Sequence, residues 1–433
     1  VLKEYTYPFI NKSKNAMKKI LFKPYLIVLL AALFYTYEYL LRIEPSVMVT
    51  YLMHHFSINA FSFGAMVSMY YYAYTPMQMV VGVMIDRYGP RKMLISALLT
   101  CLVGIFLFQA HDYSVACFAR FLLGVGSSFA FAGALKLAAM WLPANRFALF
   151  AGACTSLGML GGMIGDVTLT WGIEKTSVQT MFHISFWSGV VLLLLFLFFL
   201  ENKKKYSTEG IDSSFKAVFR GLYSIMTRPE FWFVGLMGAT LYLSLSGWAE
   251  LWGVDYIATR FDLPKSSTLA GRINSLIFFG WLVGSPLMGW LSDKIRVRVR
   301  MLLVGSFIAA MIGFALLWLP IKNILLVQTL SLLFGLVSSS QILVFAYARD
   351  QVGADLMATA ASFMNLIVMC GGMVAQPLVG ALLRLTTPTG TQADSAIFSV
   401  HQYQLALSFV PVMMLFGGIV CLIWYIKHTK QAG

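Results

Sequence analysis

A glutamate and an arginine stand one helical turn apart in a stretch otherwise rich in apolar and aromatic residues, Tyr35-Thr36-Tyr37-Glu38-Tyr39-Leu40-Leu41-Arg42-Ile43-Glu44-Pro45. In a helix, Tyr35, Glu38 and Arg42 fall at i, i+3 and i+7 and share one face. Two chemistries fit the pair. If Glu38 takes up a proton, Arg42 loses its internal counter-ion and can hold a carboxylate or phosphate through two parallel N–H bonds, which ties proton entry to anion capture. Otherwise Glu38 and Arg42 form a permanent ion pair that only locks helix geometry. Glu44, beside Pro45, is expected to be wet, and either gating or incidental.

Other polar groups are embedded in apolar runs. Tyr70-Tyr71-Tyr72-Ala73-Tyr74-Thr75-Pro76-Met77-Gln78 is too rich in hydroxyls to face an apolar medium on every side. Tyr70, Tyr74 and Gln78, at i, i+4 and i+8, are assigned to an inner face, and Tyr71 and Tyr72 to packing. Lys136, in Ala134-Leu135-Lys136-Leu137-Ala138-Ala139, is either a second anion contact or a side chain snorkelling to the interface beside Trp141. Asp166 and Glu250 are expected to pair with bases or to gate the outer side. Neutral groups, Tyr242, Ser246, Trp248, Asn274, Gln341 and Asn365, line the second part of the chain.

The elements that must carry these groups are membrane helices. The 433 residues are 59% hydrophobic and only 12% charged, with mean hydropathy +0.76, whereas a soluble globule carries about 25% charge. Runs of about 20 apolar residues suffice to span a bilayer, and twelve are read near 24–50, 62–84, 91–110, 113–139, 146–170, 181–200, 230–257, 268–292, 300–320, 323–347, 356–384 and 402–427. We number them helix 1 to helix 12. The first is too long, and lacks the small-residue site, for a cleavable signal peptide.

The net charge of +14 sits in alternate loops. Lys12, Lys14, Lys18, Lys19 and Lys23 precede helix 1; Arg87, Arg91 and Lys92 follow helix 2; Lys203, Lys204, Lys205, Lys216, Arg220 and Arg228 fill the middle; Lys294, Arg296, Arg298 and Arg300 follow helix 8; Lys427 and Lys430 close the chain. The positive-inside rule then places both termini in the cytoplasm. A nucleic-acid partner would need a basic soluble face, and this pattern leaves none. Five cysteines without CxxC spacing, at 101, 117, 154, 370 and 421, read as small core residues. No metal-ligand cluster, cofactor motif or nucleophile–base pair is apparent; His54 and His55 are adjacent and cannot share a helical face, so an enzyme is not expected.

The sequence repeats. Gly82-Val83-Met84-Ile85-Asp86-Arg87-Tyr88-Gly89-Pro90-Arg91-Lys92 returns 207 residues later as Gly289-Trp290-Leu291-Ser292-Asp293-Lys294, and Gly161-Gly162-Met163 returns after 210 as Gly371-Gly372-Met373. The expected organisation is a segment 1–23, a six-helix bundle 24–200, a polar linker 201–229, a second bundle 230–427 and a tail 428–433. Gly124 and Gly126 of helix 4, and Gly152, Gly158, Gly161, Gly162 and Gly165 of helix 5, mark close helix approaches, since small residues drive packing in lipid.

On these motifs the chain resembles the major facilitator superfamily over its whole length. The superfamily's loop signature, Gly-x-x-x-Asp-Arg/Lys-x-Gly followed by bases, is matched by Gly82, Asp86, Arg87, Gly89, Arg91 and Lys92, with Asp293 and Lys294 in a degenerate second copy. Arg120, Gly124 and Gly126 match its Arg-x-x-x-Gly-x-Gly pattern. The resemblance implies an all-α membrane protein of two pseudo-symmetric six-helix bundles. It implies that Asp86 latches against the start of helix 11, and Asp293 against helix 5, by engaging free N–H groups; for Arg91 and Lys92, setting topology is the alternative. It gives Arg120 a part in proton handling, beside a purely structural bond to a backbone carbonyl.

Tyr39-Leu40-Leu41-Arg42-Ile43-Glu44-Pro45-Ser46-Val47-Met48 is similar to the anion:cation and organophosphate symporter branches, with Leu41 where the former often has an aspartate, so Glu38 would take over coupling. The helix 2 segment also resembles phagosomal nutrient transporters of intracellular gamma-proteobacteria. The expected function is proton-coupled import of a small polar or anionic metabolite, such as an amino acid, organic acid or polycarboxylate siderophore, by a monomer in the bacterial inner membrane. Its partners would be substrate, protons and lipid, without a cofactor. A drug or metabolite exporter is the alternative, although the antiporter glycine-proline signature is incomplete at Gly161-Gly162. A non-transporting solute sensor is the alternative of another class.

Overall fold

The computed structural model describes residues 9–201, 215–353, 356–387 and 398–431, and these are almost wholly helical. Helix 1 runs Phe9–Ile43, helix 2 Ala60–Met77 and Val81–Tyr88, helix 3 Pro90–Phe108, helix 4 Tyr113–Trp141, helix 5 Ala144–Lys175 and helix 6 Val178–Phe199. Helix 7 is Pro229–Leu243 with Gly253–Arg260, helix 8 Thr268–Ile295, helix 9 Arg298–Trp318, helix 10 Ile324–Ser338 with Leu343–Asp350, helix 11 Met357–Leu385, and helix 12 Val400–Leu407 with Phe409–Gln431. The protein is an all-α membrane protein of twelve spans in two six-helix bundles. Among the described residues, ten helices are by themselves long and apolar enough to cross a membrane. The other two spans are helix 2, diluted by four tyrosines, and helix 5, rich in glycine.

Local chemistry sets the helix ends. Asn59, Asp112 and Ser177 accept the amides of Ser62, Val115 and Thr180, starting helices 2, 4 and 6. Ser399 and Gln402 form a reciprocal capping box at the start of helix 12. Gly89 of the loop signature takes φ 85°, which glycine adopts without strain, and Pro90 opens helix 3 directly behind it. Large apolar side chains such as Phe106, Phe198, Met311 and Leu385 remain exposed, as a lipid-facing surface requires.

Helix 1 begins at Phe9, well before its apolar span. The central polar stretch holds a helix of its own, Phe215–Met226, whose Gly221 lies against Leu356 and Thr359 at the start of helix 11. The side chains of Lys12, Lys14, Lys18, Lys19, Lys203, Lys204, Lys205, Lys216 and Lys430 lie outside the described residues.

The bundles meet along two seams. Helix 2 packs on helix 11, where Gly64 fits beneath the Gln376 carbonyl and Gly380 beneath that of Ala60; helix 5 packs on helix 8, where Gly162 meets the Phe278 ring. The hydrogen bonds described across the seams run from Gln78–Asn365 to Glu174–Thr268, at the face opposite the chain ends. At the face carrying the chain ends, a Cβ added at Gly82, Gly152 or Gly289 would meet nothing within 4 Å. Among the described residues, the hydrogen bonds between the halves lie at the centre and on one face, and none is described on the other.

Candidate substrate and coupling site

Three interruptions of helical regularity build the centre of the molecule. Helix 1 gives way at Pro45 to a short 3-10 turn, Glu44–Val47. Helix 7 relaxes into a π-turn, Ser244–Ala249, and helix 10 tightens at Ser339–Ile342. Such breaks are tolerated inside a bilayer only where protein or a cavity satisfies the backbone. Arg120 does so for helix 1, donating to the carbonyls of Leu41 at 3.0 Å and Arg42 at 3.3 Å. The Nε of Arg120 has no hydrogen-bond partner.

Arg42, 2% exposed, lies where the halves meet. Its Nε is 3.1 Å from Glu38 Oε1, which also accepts from Nη2 and from the Tyr70 hydroxyl. Nη1 donates to the Tyr242 hydroxyl at 2.9 Å and stands 3.8 Å from Glu250 Oε1, both on helix 7. Glu250 in turn accepts from Tyr242 at 3.1 Å and from Tyr71 of helix 2. Aromatic faces surround the guanidinium, with Tyr39 at 4.3 Å, Tyr74 at 5.0 Å and Tyr70 at 5.1 Å from ring centroid to Cζ, a geometry that favours a cation. Glu38 Oε2 is buried without a partner.

Helix 1 thus presents Glu38 and Arg42 together. Glu250 joins them because the π-turn and the following turn compact helix 7. Tyr242 and Glu250, eight residues apart and about 12 Å along a straight helix, come within hydrogen-bond distance. Tyr71, assigned from sequence to packing, instead bonds Glu250, since its hydroxyl has no lipid-side partner and reaches the acid across the seam.

This frame has relatives. A model of the Major Facilitator Superfamily matches residues 25–377. The chain belongs to this superfamily. It is 23% identical over 404 residues to the probable sulfoacetate transporter SauU of Cupriavidus necator, covering 86% of this chain and 90% of that one. It is 22% identical to the probable galactarate/D-glucarate transporter GarP of Escherichia coli, covering 96% and 97%. Its fold matches the crystal structure of a bacterial homologue of the human lysosomal transporter Spinster, in an inward-facing and unoccupied conformation, with TM-score 0.76, 14% identity and coverage of 93% and 96%. The protein is a transporter and not an enzyme.

Other sequence-selected groups are dispersed around the cluster. Tyr35 packs on Tyr39 and Phe131 at 5.3 and 5.0 Å between ring centroids. Gln78 and Asn365 bond each other across the seam at 3.0 Å. Trp248 is turned into the second half against Tyr256 and Phe334, Ser246 bonds the Tyr242 carbonyl, and Gln341 is buried in the tight turn of helix 10. Glu44 is not wet; it is 2% exposed and accepts from Ser185 at 2.8 Å, because the turn after Ile43 swings it into the first bundle.

Lys136 reaches toward the signature loop, with its Nζ 2.6 Å from Asp86 in the same half. Asp293 likewise pairs with Arg298 of its own half at 2.9 Å, and Arg298 also holds Asp350. Among the described residues, both signature aspartates thus pair with bases of their own bundle. Ala354 and Asp355, just ahead of helix 11, lie outside the described residues. Arg91 bonds the Leu197 carbonyl, Arg87 lies over the Tyr88 ring and Lys294 over that of Trp290.

On the face opposite the chain ends, Glu174 caps the start of helix 8, accepting the Thr268 amide at 2.7 Å and its hydroxyl. Glu174 lies beyond the apolar stretch of helix 5, and the bond from the Thr268 side chain holds its carboxyl below the ordinary range. Asn274 donates to Asp166 at 2.6 Å and to the Ala249 carbonyl at 2.9 Å, so it bridges the halves on that side of the central cluster.

Proposed function

We propose that this chain imports a small organic anion together with protons, using Arg42 as the anion anchor and Glu38 and Glu250 as proton acceptors. The observation that carries the reading is a single guanidinium held by carboxyls from both halves. Two carboxylates and one guanidinium are neutral only with one proton bound, and a buried unbalanced charge is costly. When an anion replaces the carboxylates on Arg42, the remaining carboxylate must be protonated too. Substrate binding and proton uptake are then one event, and breaking the Arg42 bonds to helix 7 frees the halves to rock around a midplane site. The names of the similar proteins, sulfoacetate and galactarate/D-glucarate transporters, agree with an anionic cargo.

In this reading the face carrying the chain ends is cytoplasmic, since Arg87, Arg91, Lys92, Lys294, Arg296, Arg298 and Arg300 lie there, and the structure is inward-facing. Residues 24–200 and 230–427 are the moving bundles, 201–229 is their cytoplasmic linker, and the protein acts as a monomer in a bacterial inner membrane. Tyr70 and Tyr74 form the aromatic wall of the site. Gly82, Asp86, Arg87, Gly89, Arg91, Asp293 and Lys294 form the inner gate, where Asp86 would exchange Lys136 for helix 11 on closure.

The test is ligand-induced thermal stabilisation of the purified protein across carboxylates, sulfonates, amino acids, phosphorylated sugars, nucleosides and siderophores, at acidic and neutral pH. Anions are expected to stabilise the protein more strongly in acid, and Arg42→Ala should abolish the shift. Equal stabilisation of both proteins by neutral or cationic lipophiles would overturn the reading in favour of an exporter.

A further inference from the structure

Asp166 is a carboxyl sealed in the seam between helices 5 and 8, with no ion pair to a base among the described residues. It is 0% exposed, and its Oδ2 accepts from Asn274 of the other half at 2.6 Å. Its Oδ1 is buried with no hydrogen-bond partner, as are Asn274 Oδ1 and Ser46 Oγ; Ser46, in the turn after helix 1, is its other polar neighbour. The seam is tight here: a Cβ added to Gly271 would lie 2.5 Å from the Asp166 carbonyl and 2.6 Å from Thr170 Oγ1.

The charged groups on the surrounding elements do not supply a counter-ion. Glu38, Arg42 and Glu250 are occupied with one another, Glu44 bonds Ser185, and Arg120 is spent on helix 1 carbonyls. His183 of helix 6, Lys175 at the end of helix 5 and Arg272 of helix 8 are exposed. A carboxylate in this place would have the Asn274 amide and, at best, the neighbouring Ser46 hydroxyl as donors and no base among the described residues, and burial penalises such a charge. A carboxylic acid fits, because it is neutral and so removes the charge that burial penalises.

We propose that Asp166 is a proton-operated catch of the outer gate, neutral while helices 5 and 8 are closed and ionised when they part and water enters. This goes beyond the anion reading of Arg42 and rests on the topology given with it. The catch faces only the outer compartment, so its proton comes from that side and returns to it. It sets the balance between the outward-open and inward-open states without being carried across. Acid outside closes the gate behind an arriving substrate. Glu174, at the rim of the same seam, closes it as a carboxylate, so closure is favoured between the ionisation of Glu174 and that of Asp166.

The experiment is a distance measurement by paired spin labels at His54→Cys and Pro264→Cys, exposed positions on the outer ends of the two halves, in the full chain. Protein without the added cysteines serves as the labelling control. The short distance is expected at mildly acidic pH, with a long-distance population growing as pH rises. Asp166→Asn should keep the short distance at high pH, whereas Asp166→Glu should retain the transition with a shifted midpoint. Infrared spectra should show a protonated-carboxyl band that fades with the same midpoint and moves in Asp166→Glu, which gives a readout even where Asp166→Asn does not fold. A distance indifferent to pH, an unchanged transition in Asp166→Asn, or a band that ignores Asp166→Glu overturns the proposal. Arg42→Ala should leave the pH transition intact. Loss of anion binding with a working catch therefore sinks only the Arg42 reading, and a pH-blind gate with intact anion binding sinks only the catch.

Discussion

Truncating Arg42 and exchanging it for lysine remove different things. Lysine keeps the charge but lacks the planar fork that contacts Glu38 and Tyr242 at once. A lost charge-assisted bond is worth about 1.5–3 kcal/mol, so Arg42→Lys is expected to weaken anion binding by about ten- to a hundredfold, measured by calorimetric titration. The two glutamates should behave oppositely, because glutamine mimics a protonated acid. Glu38→Gln combined with Glu250→Gln is expected to bind the anion with an affinity that no longer falls as pH rises, while losing proton uptake on binding. A steep pH dependence surviving in that double variant would place the coupling proton elsewhere. Glu38 and Arg42 were legible in the sequence because one helix face carries both and spacing along a helix is fixed. Their partnership with Glu250 was not, since it depends on a bend in another helix 200 residues away. The polarity of Glu44 suggested water, but only the backbone turn after Ile43 reveals that it points inward.

Helix packing decides whether these side chains meet. Gly124, the second member of the helix 4 pattern, lies under the carbonyl of Tyr70, and an added Cβ would fall inside contact distance of that backbone oxygen and near Ala73. The neighbour is backbone, so it cannot rotate away; helix 2 must shift, carrying Tyr70, Tyr71 and Tyr74 from Arg42. Gly124→Ala is expected to cost about 1–3 kcal/mol, seen as a lower Tm, and to weaken anion binding although no ligand contact is touched. An unchanged Tm would show that the helices have slack at this crossing. Span number and sequence were readable from apolar length and loop charge, both of which the bilayer imposes directly. The π-turn of helix 7 was not, because Ser244-Leu245-Ser246-Gly247 is compatible with a regular helix and yields only to packing around it. The helix Phe215–Met226 was hidden for a related reason: it was short and lay in a stretch read as polar linker.

At the scale of the whole molecule, the repeat in the loop signature announced two halves, but not the state in which they stand. That state follows from which contacts exist: Glu174 with Thr268 and Asp166 with Asn274 on one face, and Asp86 and Asp293 turned back to bases of their own bundles on the other. The charge count at the centre then constrains the energetics of a full cycle. On the proposed mechanism the empty site would cross with one guanidinium, one carboxylate and one carboxylic acid, and the loaded site with one guanidinium, two carboxylic acids and a monovalent anion; both would be neutral. Each turnover would move one proton with one anionic charge and no net charge, which spares the protein from carrying an unbalanced charge through the low-dielectric middle. Uptake of a monoanion into proteoliposomes is expected to follow an imposed pH gradient and to be indifferent to a potassium–valinomycin potential of either sign. Acceleration by an inside-negative potential would mean that more than one proton enters per anion, so that the empty site returns with both glutamates ionised. Slowing by the same potential would mean that the anion crosses without its proton, leaving Glu38 and Arg42 as a fixed ion pair.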